Sequence, residues 1–260
     1  MRLPSLFGMV HLLPLPGSPG YGGDQKIVIE RAVEDGLTLA RAGFPALMVE
    51  NLGDAPFFKE HVPAITVAGI TAAALAVGEA TGLPLGINVL RNDVMSALSI
   101  AAVSGAGFVR VNVLTGSMYT DQGLVEGRAA EVARARAALC PEVKVLADVF
   151  VKHATPPPGT DLAATARDTI ERGRADALIV SGEATGTGVD LSHLEAVRAA
   201  APDAPLLVGS GVTADNFSIV AATADGAIVG SSLKRGGLTS PVDYEMAVGI
   251  AEAARKSGWL

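Results

Sequence analysis

Eight short apolar runs in this chain each close on a cluster of polar residues, and each is followed by a segment with helical periodicity. The runs are Leu6–Val10, Ala46–Val49, Leu85–Val89, Phe108–Val113, Val143–Val149, Ala177–Val180, Leu206–Val208 and Ala227–Val229. Helical patterns follow over Ile27–Ala42, Thr66–Thr81, Asp93–Ser104, Leu124–Ala138, Asp161–Arg172, Leu191–Ala200, Asn216–Ala222 and Val242–Lys256. Strands that alternate with helices lie parallel, because each helix carries the chain back to the end where the last strand began. Eight such units in 260 residues predict one α/β domain over residues 1–260, a (β/α)8 TIM barrel. The rival open sheet carries a phosphate loop after its first strand. The first loop here, HLLPLPGSPGYGG, has prolines that suit neither a dinucleotide fingerprint nor a P-loop.

Punctuation agrees with these units. Gly43, Gly82, Gly105 and Gly173 stand where helices should end, and Asp93, Asp161 and Asp215 where they should begin. A net charge of −7 without a basic stripe argues against a nucleic-acid partner. One cysteine, Cys140, allows no internal disulfide and suits a reducing, cytoplasmic compartment. The longest uncharged stretches fall short of a transmembrane span. The helix around Thr66–Val77 is apolar on most faces. That is either ordinary barrel packing or a subunit interface, and the latter points to a homo-oligomer.

In a parallel barrel, active sites form at the C-terminal ends of the strands, so the polar clusters are the place to look for chemistry. Side chains alternate along a strand, and one parity would bring His11, Glu50, Asn88, Arg110, Asn112, Asp148 and Ser181 to the mouth. Buried charges need partners, and Glu50 and Asp148 with Arg110 make such a set. The plainer alternative is a structural polar plug. Glu50 could serve as a base, Asn51 could orient a carbonyl or hydroxyl, and Arg91 could clamp an anion. Asp54 reads as a turn former and Asp93 as an N-cap. The fourth strand opens into a loop with Thr115, Gly116, Thr120, Asp121 and Gln122. Its length points to a lid or specificity loop.

After the fifth strand, Asp148, Lys152 and His153 fall within six residues. A lysine there can form a Schiff base, clamp phosphate or pair with Asp148, and a histidine can shuttle protons. Glu50, Asp148 and His153 would also suit a divalent metal, though their spacing carries no ligand signature. No cofactor is assigned. The sixth strand ends in a Gly-rich loop with Thr185. The seventh and eighth end in GSG (Gly209, Ser210, Gly211) and GSSLK (Gly230, Ser231, Lys234). Glycine lets the backbone approach a ligand, and the amides of the last two loops are placed to hold a phosphate, with Lys234 as a point charge.

The segments MVHLLPLPGSPGYGG, VENLGD, PLGINVLRND, RVNVLTG, VKHA, ADALIVSG, VGSGVT and IVGS resemble the BtpA family over nearly the whole chain. That family includes a photosystem I biogenesis protein and the sugar-operon protein SgcQ. The resemblance implies a barrel of the ribulose-phosphate-binding type. It also raises a role as an assembly factor acting at a membrane surface through the outer face of the barrel, which leaves peripheral membrane association open. It supplies no residue-by-residue mechanism. The residues themselves favour an enzyme acting on a phosphorylated small molecule, a sugar phosphate or nucleoside-type phosphate, by isomerase, lyase or aldolase chemistry.

Overall fold

The computed structural model describes residues 3–182 and 190–260. The strands are β1 (Leu6–His11), β2 (Ala46–Glu50), β3 (Leu85–Asn88), β4 (Phe108–Val111), β5 (Ser117–Thr120), β6 (Gly123–Glu126), β7 (Lys144–Asp148), β8 (Ala154–Thr155), β9 (Ala177–Val180), β10 (Leu206–Val208) and β11 (Gly226–Val229). Eight of them close a parallel barrel in the order β1-β2-β3-β4-β7-β9-β10-β11, with β11 pairing back onto β1. The helices α1 (Gln25–Ala42), α2 (Ala64–Thr81), α3 (Val94–Ser104), α4 (Ala129–Leu139), α5 (Leu162–Glu171), α6 (Leu191–Ala200), α7 (Phe217–Ala221) and α8 (Tyr244–Lys256) connect the strands. The (β/α)8 expectation holds.

Strand alternation divides the buried residues into two clusters. One parity packs outward under the helices, as Leu6, Val10, Leu47, Val49, Ile87 and Val109 do. The other fills the barrel with Phe7, Met9, Met48, Phe108, Leu146, Ile179, Leu207 and Ile228. Gly86 is on this inner face because a Cβ there would sit 2.1 Å from the Phe108 ring. Phe108 in turn meets Phe7 edge-on at 5.0 Å. The lower barrel is thus filled by apolar layers, and the same parity continues upward into the polar residues of the mouth.

Most predicted helix ends are confirmed. Asp93 and Asp161 cap α3 and α5 through their side chains, and Gly43, Gly82 and Gly105 end α1, α2 and α3 in the left-handed conformation. After α5 it is Arg174, not Gly173, that takes positive φ, at 60°. Gly173 is small because a Cβ would meet Thr115 Cγ2 and the Thr169 carbonyl, each at 2.7 Å. The cap position of α7 falls to Asn216 rather than Asp215.

One helix expectation is corrected. Leu124 does not begin a helix: β5 and β6 form an antiparallel hairpin, β8 adds a third strand, and α4 starts at Ala129. Met118 and Val125, paired on the hairpin, bury against Val113 and Val151. The hairpin therefore packs against the segment that carries Lys152. Over Gly123–Glu126 only Val125 is buried, so the strand carries little pattern of its own, and an Ala-rich run just beyond it disguises the boundary.

The apolar helix α2 is an outer barrel helix. Among the described residues it alone has the length and hydropathy to cross a membrane, yet Thr66, Gly69, Ile70, Ala73, Ala74 and Val77 bury against the barrel. Ile65 and Leu75 remain half exposed on its outer face.

Candidate functional site

Seven polar residues from six strand ends meet at the mouth, all of them buried: His11, Glu50, Asn88, Arg110, Asn112, Asp148 and Ser181. Their centre is an ion pair. Arg110 Nε donates to Asp148 Oδ2 at 2.9 Å and Nη2 to Oδ1 at 2.8 Å, the two-pronged geometry a guanidinium offers a carboxylate. Asn112 Nδ2 donates to Oδ2 at 3.0 Å and Ser181 Oγ to Oδ1 at 3.0 Å. Burial alone would push the Arg110 guanidinium down. The Asp148 charge and its hydrogen bonds more than offset this, and the proton is held more tightly than usual. Asp148 is consequently saturated with donors, and its geometry is that of an anchor for Arg110.

Glu50 forms the second centre. Asn88 Nδ2 donates to its Oε2 at 2.5 Å, and His11 Nε2 lies 3.6 Å from Oε1. Burial, then the nearby Lys234 and Lys152 charges, hold the His11 imidazole well below its ordinary value. It is therefore neutral at pH 7.

Lys152 belongs to the segment after β7, in which Phe150 and His153 both take positive φ, at 57°. Such residues cost of order 1–3 kcal/mol each and persist where surrounding structure holds them. Arg91 does the holding: its Nη2 donates to the Lys152 carbonyl at 2.8 Å and the His153 carbonyl at 3.4 Å. The expected anion clamp is thus a brace for the lysine segment. Burial, then the Arg110 charge, push the Lys152 ammonium below its ordinary value. His153 lies exposed on the rim. Burial and the Lys152 charge hold it below the usual histidine value.

A pocket at the mouth brings the main elements together. His11, Glu50, Arg110 and Lys152 line it together with Gly209, Ser210, Gly230 and Ser231. The glycines are close approaches: a Cβ on Gly209 would sit 2.6 Å from Ser181 Oγ and 3.0 Å from Arg110 Nη2, and one on Gly230 2.9 Å from His11 Cε1. No hydrogen bond within the described residues engages the backbone N–H groups of Ser210, Gly211, Gly230 or Ser231. Paired groups are the rule away from water, so these donors remain for solvent or a ligand. Ser210 Oγ accepts from Gly182 N–H at 3.0 Å, joining the ends of β9 and β10.

Other predicted residues lie elsewhere. Asn51 accepts from Leu90 N–H and donates to Asp54, and lines a separate pocket with Pro56, Phe57 and Phe58. Asp54 also accepts from Leu15 N–H, so the turn role expected of it holds. Asp121 is exposed on the hairpin turn. Gly211, at φ 73°, is not part of the pocket wall. Thr185 lies outside the described residues. Glu50, Asp148 and His153 do not gather as metal ligands, and no group of three or more His, Cys, Asp or Glu does so among the described residues. Asp148 is taken up by Arg110, while His153 sits on the rim.

Lys234 turns away from the pocket. Its ammonium donates to the Leu238 carbonyl at 2.9 Å and lies 3.9 Å from Asp35 Oδ2 of α1. Burial lowers its value from 10.5 to about 8. A base whose folded value is depressed destabilises the fold below that value, and the penalty disappears as pH rises from about 8 to 10.5. Relative to Lys234→Met, the wild type should gain stability across that window. Urea unfolding at pH 7.5 and pH 10 checks it, and equal slopes for the two proteins would contradict it.

Sequence reasoning missed Met9, Leu52 and Leu238 in the pocket wall. It also missed Asn92, whose amide bonds both the N–H and the carbonyl of Val113. Leu238 follows GG in the last loop, but nothing local marks it as a wall. Asn92 stands between two residues with stronger signals, Arg91 and Asp93.

The likenesses to known proteins agree with this architecture. A native KDPGal structure superposes with a TM-score of 0.63 at 16% identity, over 100% of this chain and 98% of that one. Phosphoribosyl anthranilate isomerase from Thermus thermophilus superposes at 0.62 and 14%, over 97% and 98%. At these identities the likeness is one of fold. In sequence, the chain is 49% identical over 232 residues to the photosystem I biogenesis protein BtpA of Synechocystis, covering 89% of this chain and 81% of the relative. The family model described as BtpA family matches residues 2–256. On these two sequence matches, the chain belongs to the BtpA family.

Proposed function

We propose that the protein is an enzyme acting on a phosphorylated small molecule, a sugar phosphate or a nucleoside-type phosphate, by isomerase, lyase or aldolase chemistry. The observation that carries this reading is the mouth pocket. Its lining combines backbone amides of Ser210, Gly230 and Ser231, unengaged among the described residues, with Glu50, Arg110 and Lys152. An anion held by those amides would bring its carbon chain to these side chains. Glu50 acts as the base, with neutral His11 beside it, and Arg110, braced by Asp148, orients a carbonyl or hydroxyl oxygen. Lys152 carries the carbonyl chemistry and His153 exchanges protons at the rim. Asn88, Asn112 and Ser181 hold these groups, and Lys234 contributes to the phosphate site only as a distant charge. The neighbouring isomerase, whose name carries a phosphoribosyl group, supports the class of ligand and not the reaction.

Ser231→Asp tests the anion wall without demanding an unusual backbone. A carboxylate set against a phosphate should weaken binding of ribulose 5-phosphate or inorganic phosphate by roughly 100-fold, since like charges in contact cost several kcal/mol. Phosphorus NMR titration reads it. Unchanged binding, or no binding by the wild type at millimolar concentration, would sink the proposal.

A second reading follows from the Synechocystis relative: a scaffold for a membrane complex, acting through its outer surface. Glu50→Gln and Lys152→Ala would then leave retention by partner membranes intact. The enzyme reading places the protein in the cytoplasm as a homo-oligomer, with Ile65, Leu75 and Val103 exposed on α2 and α3. A monomer mass by light scattering would remove the oligomer.

A further inference from the structure

We propose that Lys152 is a covalent catalyst, forming an iminium with the open-chain carbonyl carbon of a phosphorylated ketose or aldose; this rests on the phosphate reading of the mouth pocket. Three features of the geometry lead there. Lys152 extends into the pocket lined by Glu50, Arg110 and the glycine loops. No hydrogen bond or ion pair within the described residues engages its ammonium, whereas Lys234, Lys144 and Lys26 have Leu238, Asp176 and Glu30. Its backbone is fixed between two residues of positive φ and strapped by Arg91. Lysine is activated for nucleophilic attack by desolvation and by a neighbouring cation. The Arg110 guanidinium supplies that cation, and the ammonium is lowered accordingly.

The step balances without an outside reagent. The Lys152 ammonium first passes a proton to the Glu50 carboxylate. The resulting amine attacks the carbonyl carbon, the C=O π pair moves to oxygen, and a proton passes from nitrogen to that oxygen. The proton now on Glu50 then releases the oxygen as water and leaves the iminium. The iminium draws in the electron pair of an adjacent C–H or C–C bond and becomes an enamine. The C–H proton, or the proton of the hydroxyl beside the breaking C–C bond, goes to the Glu50 carboxylate. Glu50 returns it to the enamine carbon, restoring the iminium, and hydrolysis by water frees the carbonyl and the amine.

The test is borohydride reduction of the full-length protein with dihydroxyacetone phosphate, ribulose 5-phosphate and glyceraldehyde 3-phosphate in turn, followed by peptide mass spectrometry. The expected result is a reduced adduct on the peptide containing Lys152 with at least one compound, its formation suppressed by inorganic phosphate. Lys152→Arg and Lys152→Gln should lose the adduct while still binding phosphate by phosphorus NMR, which also shows that they fold. Binding without an adduct, or an adduct that persists in both variants, overturns the covalent role and leaves the phosphate reading standing. Failure of every compound and of inorganic phosphate to bind overturns both.

Discussion

Asp148→Ala should lower the free energy of unfolding by about 3–5 kcal/mol, because it strands the buried Arg110 charge. The side chains of both partners are almost completely enclosed, at 3% and 0% exposure. Arg110 would lose two charge-assisted hydrogen bonds, and the amide of Asn112 its only partner. Urea unfolding measures the loss. The double variant Arg110→Met, Asp148→Leu should recover most of it, since apolar residues of similar volume replace a buried pair at little cost. Phosphate binding in the double variant should persist at the glycine wall, while turnover disappears. A loss below about 1 kcal/mol for Asp148→Ala, within the range of an exposed pair, would mean that the ion pair does not organise the mouth.

Lys152→Met should do the opposite. A half-buried ammonium with no hydrogen bond or ion pair among the described residues gives way to a side chain of similar length, so stability should hold or rise by up to about 1 kcal/mol. Activity should fall on the order of 10⁴-fold, in line with loss of a nucleophile. Exchange of solvent deuterium into the carbon beside the carbonyl of dihydroxyacetone phosphate, followed by proton NMR, is a direct readout. Together the two substitutions separate the residues that build the mouth from those that act in it. A fall in stability with unchanged exchange would assign Lys152 to the first group.

Those contrasting expectations could not have been drawn from the chain alone. Asp148 and Lys152 stand four residues apart, and the sequence left open that they pair with each other. In the barrel, β7 sits beside β4, so Asp148 faces Arg110, thirty-eight residues away in sequence, and both its oxygens are taken. Lys152 lies beyond the strand end, where no ladder dictates direction, and enters the pocket only because Arg91 and the hairpin hold its segment. The hairpin itself was misread, since a four-residue strand with a single buried side chain is too weak a signal to outweigh an adjoining Ala-rich run. Lys234 read as a phosphate contact because it follows a glycine loop. The fold turns it toward Asp35 on α1.

Periodicity and spacing by themselves determined the barrel, the parity that sends His11, Glu50, Asn88, Arg110 and Asp148 inward, and the two glycine ends. These are local properties: alternation has a period of two whatever lies across the sheet, and glycine is permissive wherever it stands. Only the tertiary structure decided which charge meets which, which amides remain unengaged among the described residues and which lysine reaches the pocket. Those outcomes depend on the order of strands around a closed sheet and on loops packing against one another. Pair energies at a few ångströms depend on that geometry, and sequence distance does not encode it.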